Sequence, residues 1–221
     1  MLHYVYGTDL DNFPKLRDTM FRDRAEQFAN RLGWDAVTVD ENGHEMDHYD
    51  SLNPLYIIWE MPDGSHGGSM RMMPTVGETM VNDHFAHLTG GVRIQSPLIW
   101  ECTRFCISPR ADRRATAALV VAAGELMDEF ALEHFVGVFF EKMERVFALS
   151  YINADVLGVD PQMDAAGDRI AVGTWEITPK TIERNLARIG ITRETSKDWF
   201  RASFNRNYVP ISTPVELKMC A

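Results

Sequence analysis

Apolar and polar residues follow two periods along the chain, and the places where the period changes outline its elements. Residues 15–33, "KLRDTMFRDRAEQFANRLG", carry apolar positions at helical spacing and predict an amphipathic helix ended by Gly33. "LYIIWE" (55–60) and "GGSMRMMP" (67–74) flank the Asp63-Gly64 turn signal and predict a hairpin. "ETMVNDHFAHL" (78–88) predicts a short helix, residues 98–107 a strand, and the Ala-rich 112–133 a long, mostly buried helix. A strand at 134–141, a helix at 142–152, a short strand at 154–158 and a strand at 169–178 follow. Residues 179–190 predict a helix with Pro179 at its start and Gly190 at its end. The stretch after Gly190 has no clear period. With no repeat, low-complexity block or linker, this order predicts an α/β fold, one domain over residues 1–221 with a mixed sheet and helices on both faces.

The strand at 98–107 breaks the pattern it belongs to. In "WECTRFCIS" (100–108), a period of two puts Trp100, Cys102, Arg104 and Cys106 on one face and Glu101, Thr103, Phe105 and Ile107 on the other. Each face then holds one charge among apolar neighbours. An unpaired buried charge is costly, so both charges ask for a role. Cys102 and Cys106 are too far apart along an extended backbone to bridge comfortably.

Composition narrows the possible partners. The chain has 221 residues, 45% of them hydrophobic, and a formal net charge of -10. A field of that sign repels phosphate backbones and anionic lipid, which makes nucleic acid and membrane surfaces poor general partners. No apolar run approaches the roughly 18 residues of a spanning helix. The start "MLHYVYGTDLDNF" lacks the basic and apolar regions of a secretory signal. With Cys102, Cys106 and Cys220 read as small hydrophobes in a reducing compartment, a cytoplasmic location is expected.

One local motif suggests a metal. "HEMDH" (44–48) matches H-E-x-x-H, which places two imidazoles four residues apart on a helix. Here it follows the Asn42-Gly43 turn signal and precedes "YDSLNP", so a loop is expected and no metal site. Arg110, Arg113 and Arg114 cluster where the strand at 98–107 meets the long helix. That placement runs against the preference for acidic residues at a helix start and favours an anionic partner.

A second set of residues is distributed through the chain. Arg24 and Phe28 share a helix face, and Trp34 follows the helix. "EMDHYD" brings Asp47 and Asp50, "SMRMMPT" brings Arg71, "DHFAHL" brings Phe85, and "WECTRF" brings Glu101 and Arg104. In this order and spacing, R-x-x-x-F-x-x-x-x-x-W, E-x-D-x-Y-D, S-M-R-x-x-P-T and W-E-x-x-R-F resemble the acyl-homoserine-lactone synthases, the LuxI-type autoinducer synthases. The resemblance runs from about Arg24 to Arg145 and continues more weakly through "RIAVGTWEIT".

The resemblance implies a fold similar to the GNAT acetyltransferases. It also implies acylation of the α-amine of S-adenosylmethionine from an acyl carrier protein or coenzyme A, then lactone closure with loss of methylthioadenosine. Adenosylmethionine would be a substrate, with no separate cofactor. Glu101 would deprotonate the amine through water. It forms the catalytic set with Asp47, Asp50 and Arg71, whose ion network would order the acidic loop. Arg24, Phe28, Trp34 and Arg104 would surround the adenosylmethionine, with Phe85 lining the pocket. Gly137, Phe139 and Phe140 would form the acyl pocket. Many members of the family carry a small hydroxyl residue where Gly137 falls, which implies acyl chains lacking a 3-oxo group. Arg110, Arg113, Arg114, Lys142 and Arg145 would dock an acidic carrier protein. The alternatives are a GNAT-type N-acyltransferase using coenzyme A on another amine, and a non-catalytic ligand-binding relative.

Overall fold

The computed structural model describes residues 1–34, 37–164 and 167–204. Cys220 lies outside the described residues. Seven strands form one sheet: β1 (Leu2–Tyr6), β2 (Leu55–Glu60), β3 (His66–Pro74), β4 (Ile99–Ile107), β5 (His134–Phe140), β6 (Asp155–Met163) and β7 (Arg169–Trp175). Their order is β1-β2-β3-β4-β5-β7-β6. Among the described residues, only β4 and β5 run parallel. Six α-helices among the described residues accompany the strands: α1 (Pro14–Ala25), α2 (Met80–His84), α3 (Arg114–Glu129), α4 (Glu144–Leu149), α5 (Pro179–Ile189) and α6 (Arg193–Phe204).

The helices lie on both faces. On one, Ala117, Leu119, Val121 and Leu126 of α3 pack with Ile57, Met70, Met72, Trp100 and Phe135 of the sheet and with Ile182 and Phe200 of α5 and α6. On the other, Leu16, Met20 and Phe21 of α1 cover Val5, Tyr56 and Ile58. Farther along that face, Val81 of α2 and Leu88 meet Val136 and Val172. A buried histidine pins α1 to β3. His66 lies 2.7 Å from Asp23 and 2.9 Å from Ser69, and its backbone N–H donates to Thr19. The residue after Asp23 is Arg24, so this clamp aims Arg24 at the sheet.

Several elements differ from the sequence expectation. The helix expected over 15–33 is α-helical only to Ala25, and Glu26–Arg31 widens into a π-helical turn. β1 and α6 were not expected. β1 is only five residues long, and α6 is recognisable through packing of Phe200 and Phe204 on Tyr4 and Phe130. β6 runs past the expected 154–158 to Met163, through Pro161. It is an edge strand, where the missing N–H of proline is tolerated.

The largest departure is in β4. Ser69 pairs with Cys106 and Arg71 with Thr103, so Met70 alone faces Arg104 and Phe105 across a bulge. Arg104 takes a left-handed φ of 51° to make it. The bulge shifts the phase of the strand. Trp100, Cys102, Phe105 and Ile107 join the α3 core, while Glu101, Thr103 and Cys106 face the α1 and α2 side with the Arg104 guanidinium. The period-two prediction that the two charges sit on opposite faces is therefore corrected. Cys102 and Cys106, expected on one face, are on opposite faces.

Candidate functional site

The bulge gathers both charges of β4 beneath the acidic loop. Asp47 caps a 3-10 turn at His48–Leu52 through a capping box with Asp50, and this fixes both carboxylates. Arg24 donates from Nε to Glu45 (2.7 Å) and through both terminal nitrogens to Asp50 (2.9 and 2.8 Å). Arg71 donates to Thr103 (3.0 Å) and to Asp47 (3.0 Å), and lies 2.9 Å from Asp50. Arg104 bonds Glu45 (3.1 Å) and lies 2.7 Å from Asp47. Tyr56 donates to Asp50 at 2.6 Å. Three arginines thus meet three carboxylates, and the side chains of Arg24, Arg71, Glu45 and Asp50 are at most 1% exposed. Arg24 and Arg71 together hold the Asp50 carboxyl far below the usual carboxylate range despite its burial.

This arrangement separates residues that the sequence grouped. Asp47, Asp50 and Arg71 are paired with one another and with Arg24, and form a framework apart from Glu101. Arg24, expected beside the substrate, has its donors committed to Glu45 and Asp50 and is 1% exposed. Arg104 is the least enclosed of the three arginines at 8%. Sequence reasoning missed Glu45, Tyr56 and Thr103. Glu45 is the first residue of E-x-D-x-Y-D and also the glutamate of the zinc-like motif, which masks its part in the network. In the structure "HEMDH" is no metal helix: His44 meets Asp18 (2.9 Å), Glu45 joins the arginines, and His48 meets Glu78 (2.8 Å).

Glu101 sits in a different environment. It lies between Met73 of β3 and Val136 of β5 and is fully buried. One carboxylate oxygen accepts from the Met80 amide (3.0 Å) and the other from the Val81 amide (2.6 Å). Glu101 thus caps α2, because Thr79 at the cap position makes no side-chain cap bond. Burial pushes its pKa up to about 7, against the two amides and Arg71, with Asp83 adding to the rise. Near neutral pH it therefore exchanges a proton readily, and two amides leave lone pairs free for a third partner.

Beside Arg104 is an aromatic wall. Phe28 and Trp34 stack at 5.0 Å and 16°, Arg104 lies 5.4 Å over Phe28, and Phe140 tilts against Trp34 at 5.9 Å. Phe85 ends α2 and packs with Val136, Val138 and Ile170 on the Glu101 face. The expected acyl trio is divided by the sheet. Gly137 and Phe139 lie on the α3 face with Trp175 and Phe147, whereas Phe140 lies on the Trp34 face. β4 and β5 stay paired only through Glu101 and Val136, and then part. A Cβ on Gly137 would come within 2.9 Å of the Cys102 carbonyl where they separate.

The five cations lie near the carboxyl ends of the two parallel strands. Arg113 and Arg145 are exposed. Arg110 is near Asp23 (3.7 Å), Arg114 pairs with Asp112 and Lys142 with Asp168. Clefts of about 510 and 460 Å³ around His134 and Glu176 lie at the amino end of β5, and lack the buried charge that marks the site. Among the described residues, no helix is long and apolar enough to cross a membrane.

Comparison with known proteins bears on the family and the fold. The autoinducer synthase family profile matches residues 9–158. The acyl-homoserine-lactone synthase of Rhizobium etli is 32% identical over 200 residues, covering 86% of this chain and 92% of that protein. The structure of the CoA-dependent acyl-homoserine lactone synthase BjaI, with SAM and isopentyl-CoA, superimposes with a TM-score of 0.76 at 22% identity, over 86% of this chain and 90% of that one. A Lactobacillus plantarum protein described as an N-acetyltransferase shares the fold at a TM-score of 0.51 and 13% identity, over 80% of this chain and 99% of its own. The fold is therefore GNAT-like, and with the profile spanning the ion network, Glu101 and the parting strands, the chain belongs to the autoinducer synthase family, whose curated relatives are acyl-homoserine-lactone synthases.

Proposed function

We propose that the protein joins an acyl thioester to the α-amine of S-adenosylmethionine and then closes the homoserine lactone, releasing methylthioadenosine. In the first step the new N–C bond forms as the C–S bond breaks and the thiolate leaves. In the second, the methionine carboxylate attacks its own side chain and the sulfonium C–S bond breaks. The observation that carries this reading is Glu101, a buried carboxylate titrating near neutrality where β4 and β5 part. It would take the proton of the amine through water, since its amide partners fix the direction of its remaining lone pairs. Arg104 would grip the substrate carboxylate. The Phe28–Trp34 stack would face the sulfonium, and Phe85 would bound the pocket on the α2 side.

Arg24, Arg71, Asp47, Asp50 and Glu45 would act indirectly, as the rigid base on which Arg104 is held. The acyl chain would enter where the strands part, against Gly137 and Phe139. Without a hydroxyl at Gly137, products lacking a 3-oxo group are expected. Arg110, Arg113, Arg114, Lys142 and Arg145 would meet an anionic donor, either carrier protein or coenzyme A. Expression in a bacterium that makes no lactones, with mass spectrometry of the culture, tests the reading and the acyl group together. No lactone would refute the reaction, and mainly 3-oxo products would refute the Gly137 assignment. Initial rates with both donors separate carrier protein from coenzyme A.

A further inference from the structure

The carboxylates of the ion network and the amides that hold Glu101 are built on different segments, and something must hold these in register. The network rests on the acidic loop and the 48–52 turn, whereas Glu101 depends on the first two amides of α2. α2 is only five residues long and cannot hold its own position. Three side-chain contacts join the two segments. His48 meets Glu78 at 2.8 Å. The Tyr49 hydroxyl donates to Asp83 at 3.0 Å. The Tyr49 ring stands at 90° to His84, 6.3 Å away. The first pair is exposed at both ends. Tyr49 is buried, and the Arg71 guanidinium lies 5.4 Å over its ring, so Tyr49 touches both halves of the site.

We infer that the Tyr49–Asp83 hydrogen bond is a clasp that holds the Met80 and Val81 amides on Glu101 and ties this carboxylate to the arginine network. Tyr49 and Asp83 are positioning residues for the reaction proposed above, on which this role rests. The charged groups around the clasp are Arg71 on β3, Asp47 at the cap of the turn, Glu101 on β4, and Arg93, 3.8 Å from Asp83. His84 and the His48–Glu78 pair flank it.

Two variants separate clasp from charge. Tyr49→Phe keeps the ring contacts and removes only the hydroxyl. The amide bonds that favour the Glu101 carboxylate then weaken, so the acid limb of kcat/KM moves to higher pH. Asp83→Asn still accepts from the Tyr49 hydroxyl and removes a negative charge that opposes Glu101 ionisation, so the limb moves to lower pH. Hydrogen exchange of the intact chain by NMR reads the clasp without activity. The Val81 amide should exchange about tenfold faster in Tyr49→Phe, the scale of one hydrogen bond to a charged group, and near the wild-type rate in Asp83→Asn. Unchanged Val81 exchange in Tyr49→Phe overturns the clasp, as do acid limbs that move in the same direction in both variants. A wild-type chain that releases no methylthioadenosine overturns the reaction instead, and the exchange rates still decide the clasp.

Discussion

The arginine network and the Glu101 cradle are adjacent and both buried, yet their electrostatics are opposite. In the network each charge has a counter-charge: Arg24 has Glu45 and Asp50, Arg71 has Asp47 and Asp50, and Arg104 has Glu45 and Asp47. Pairing with Arg24 and Arg71 drives Asp50 strongly acidic despite its burial. Glu101 has two backbone amides and no direct ion pair among the described residues, and burial raises its pKa to about 7. A set in which every charge is paired holds its shape. A lone buried carboxyl is costly to ionise, and that cost is what allows it to trade protons. In the proposed reaction, the same sheet face would supply rigidity from one part and reactivity from the other.

The contrast predicts different failures for the two regions. Glu101→Gln should lower lactone formation by about 10²–10⁴-fold, the usual contribution of a general base, with circular dichroism unchanged. A fully active variant would remove Glu101 from the mechanism. Asp50→Ala should act on stability instead, costing about 3–5 kcal/mol because Arg24 and Arg71 are left as under-paired buried charges. Denaturant unfolding measures it, and a loss under about 1 kcal/mol would show that the network relaxes.

pH separates the regions as well. The Glu101 pKa rises from 4.5 unfolded to about 7 folded, so the folded chain holds a proton that the unfolded chain has released. Its contribution to stability is present below about pH 4.5 and is lost as pH rises to about 7, by up to about 3 kcal/mol. Asp50 has the opposite sign: its depressed pKa keeps its contribution above the unfolded carboxylate range and loses it only in strong acid. Melting temperature against pH should therefore fall between pH 5 and 7, and that slope should flatten in Glu101→Gln. The smallest effect concerns the turn that follows α2. A Cβ at Gly158 would lie 2.1 Å from the Leu88 carbonyl oxygen. Gly158→Ala should cost about 1–3 kcal/mol by overpacking and loosen Phe85, read as a higher KM for adenosylmethionine. An unchanged melting temperature would mean that the turn moves aside freely.

Much of this was legible locally. The hairpin at β2–β3, the long α3 and the α5 boundaries followed from turn signals, an apolar run, and Pro179 with Gly190 in its left-handed cap. Arg71 inside an apolar strand and the pair in "WECTRF" already marked charges that needed a purpose. The bulge was not legible. Nothing in residues 100–108 distinguishes a regular strand from one that inserts Arg104 at positive φ. That choice depends on β3 and on the carboxylates waiting on the other face. Glu45 was hidden for a related reason: its partners Arg24 and Arg104 lie 21 and 59 residues away.

Period, capping residues and charge balance are properties of neighbours along the chain, so the sequence by itself determined the element order from α1 to α5, the mixed α/β sheet and which residues are chemically out of place. Which charges pair and which acid is left alone depends on distances between remote segments and on burial. Those were decided only when α1, the acidic loop, the bulged β4 and α2 closed on one sheet face. There the loss of water makes each ion's nearest partner the dominant influence on its charge state.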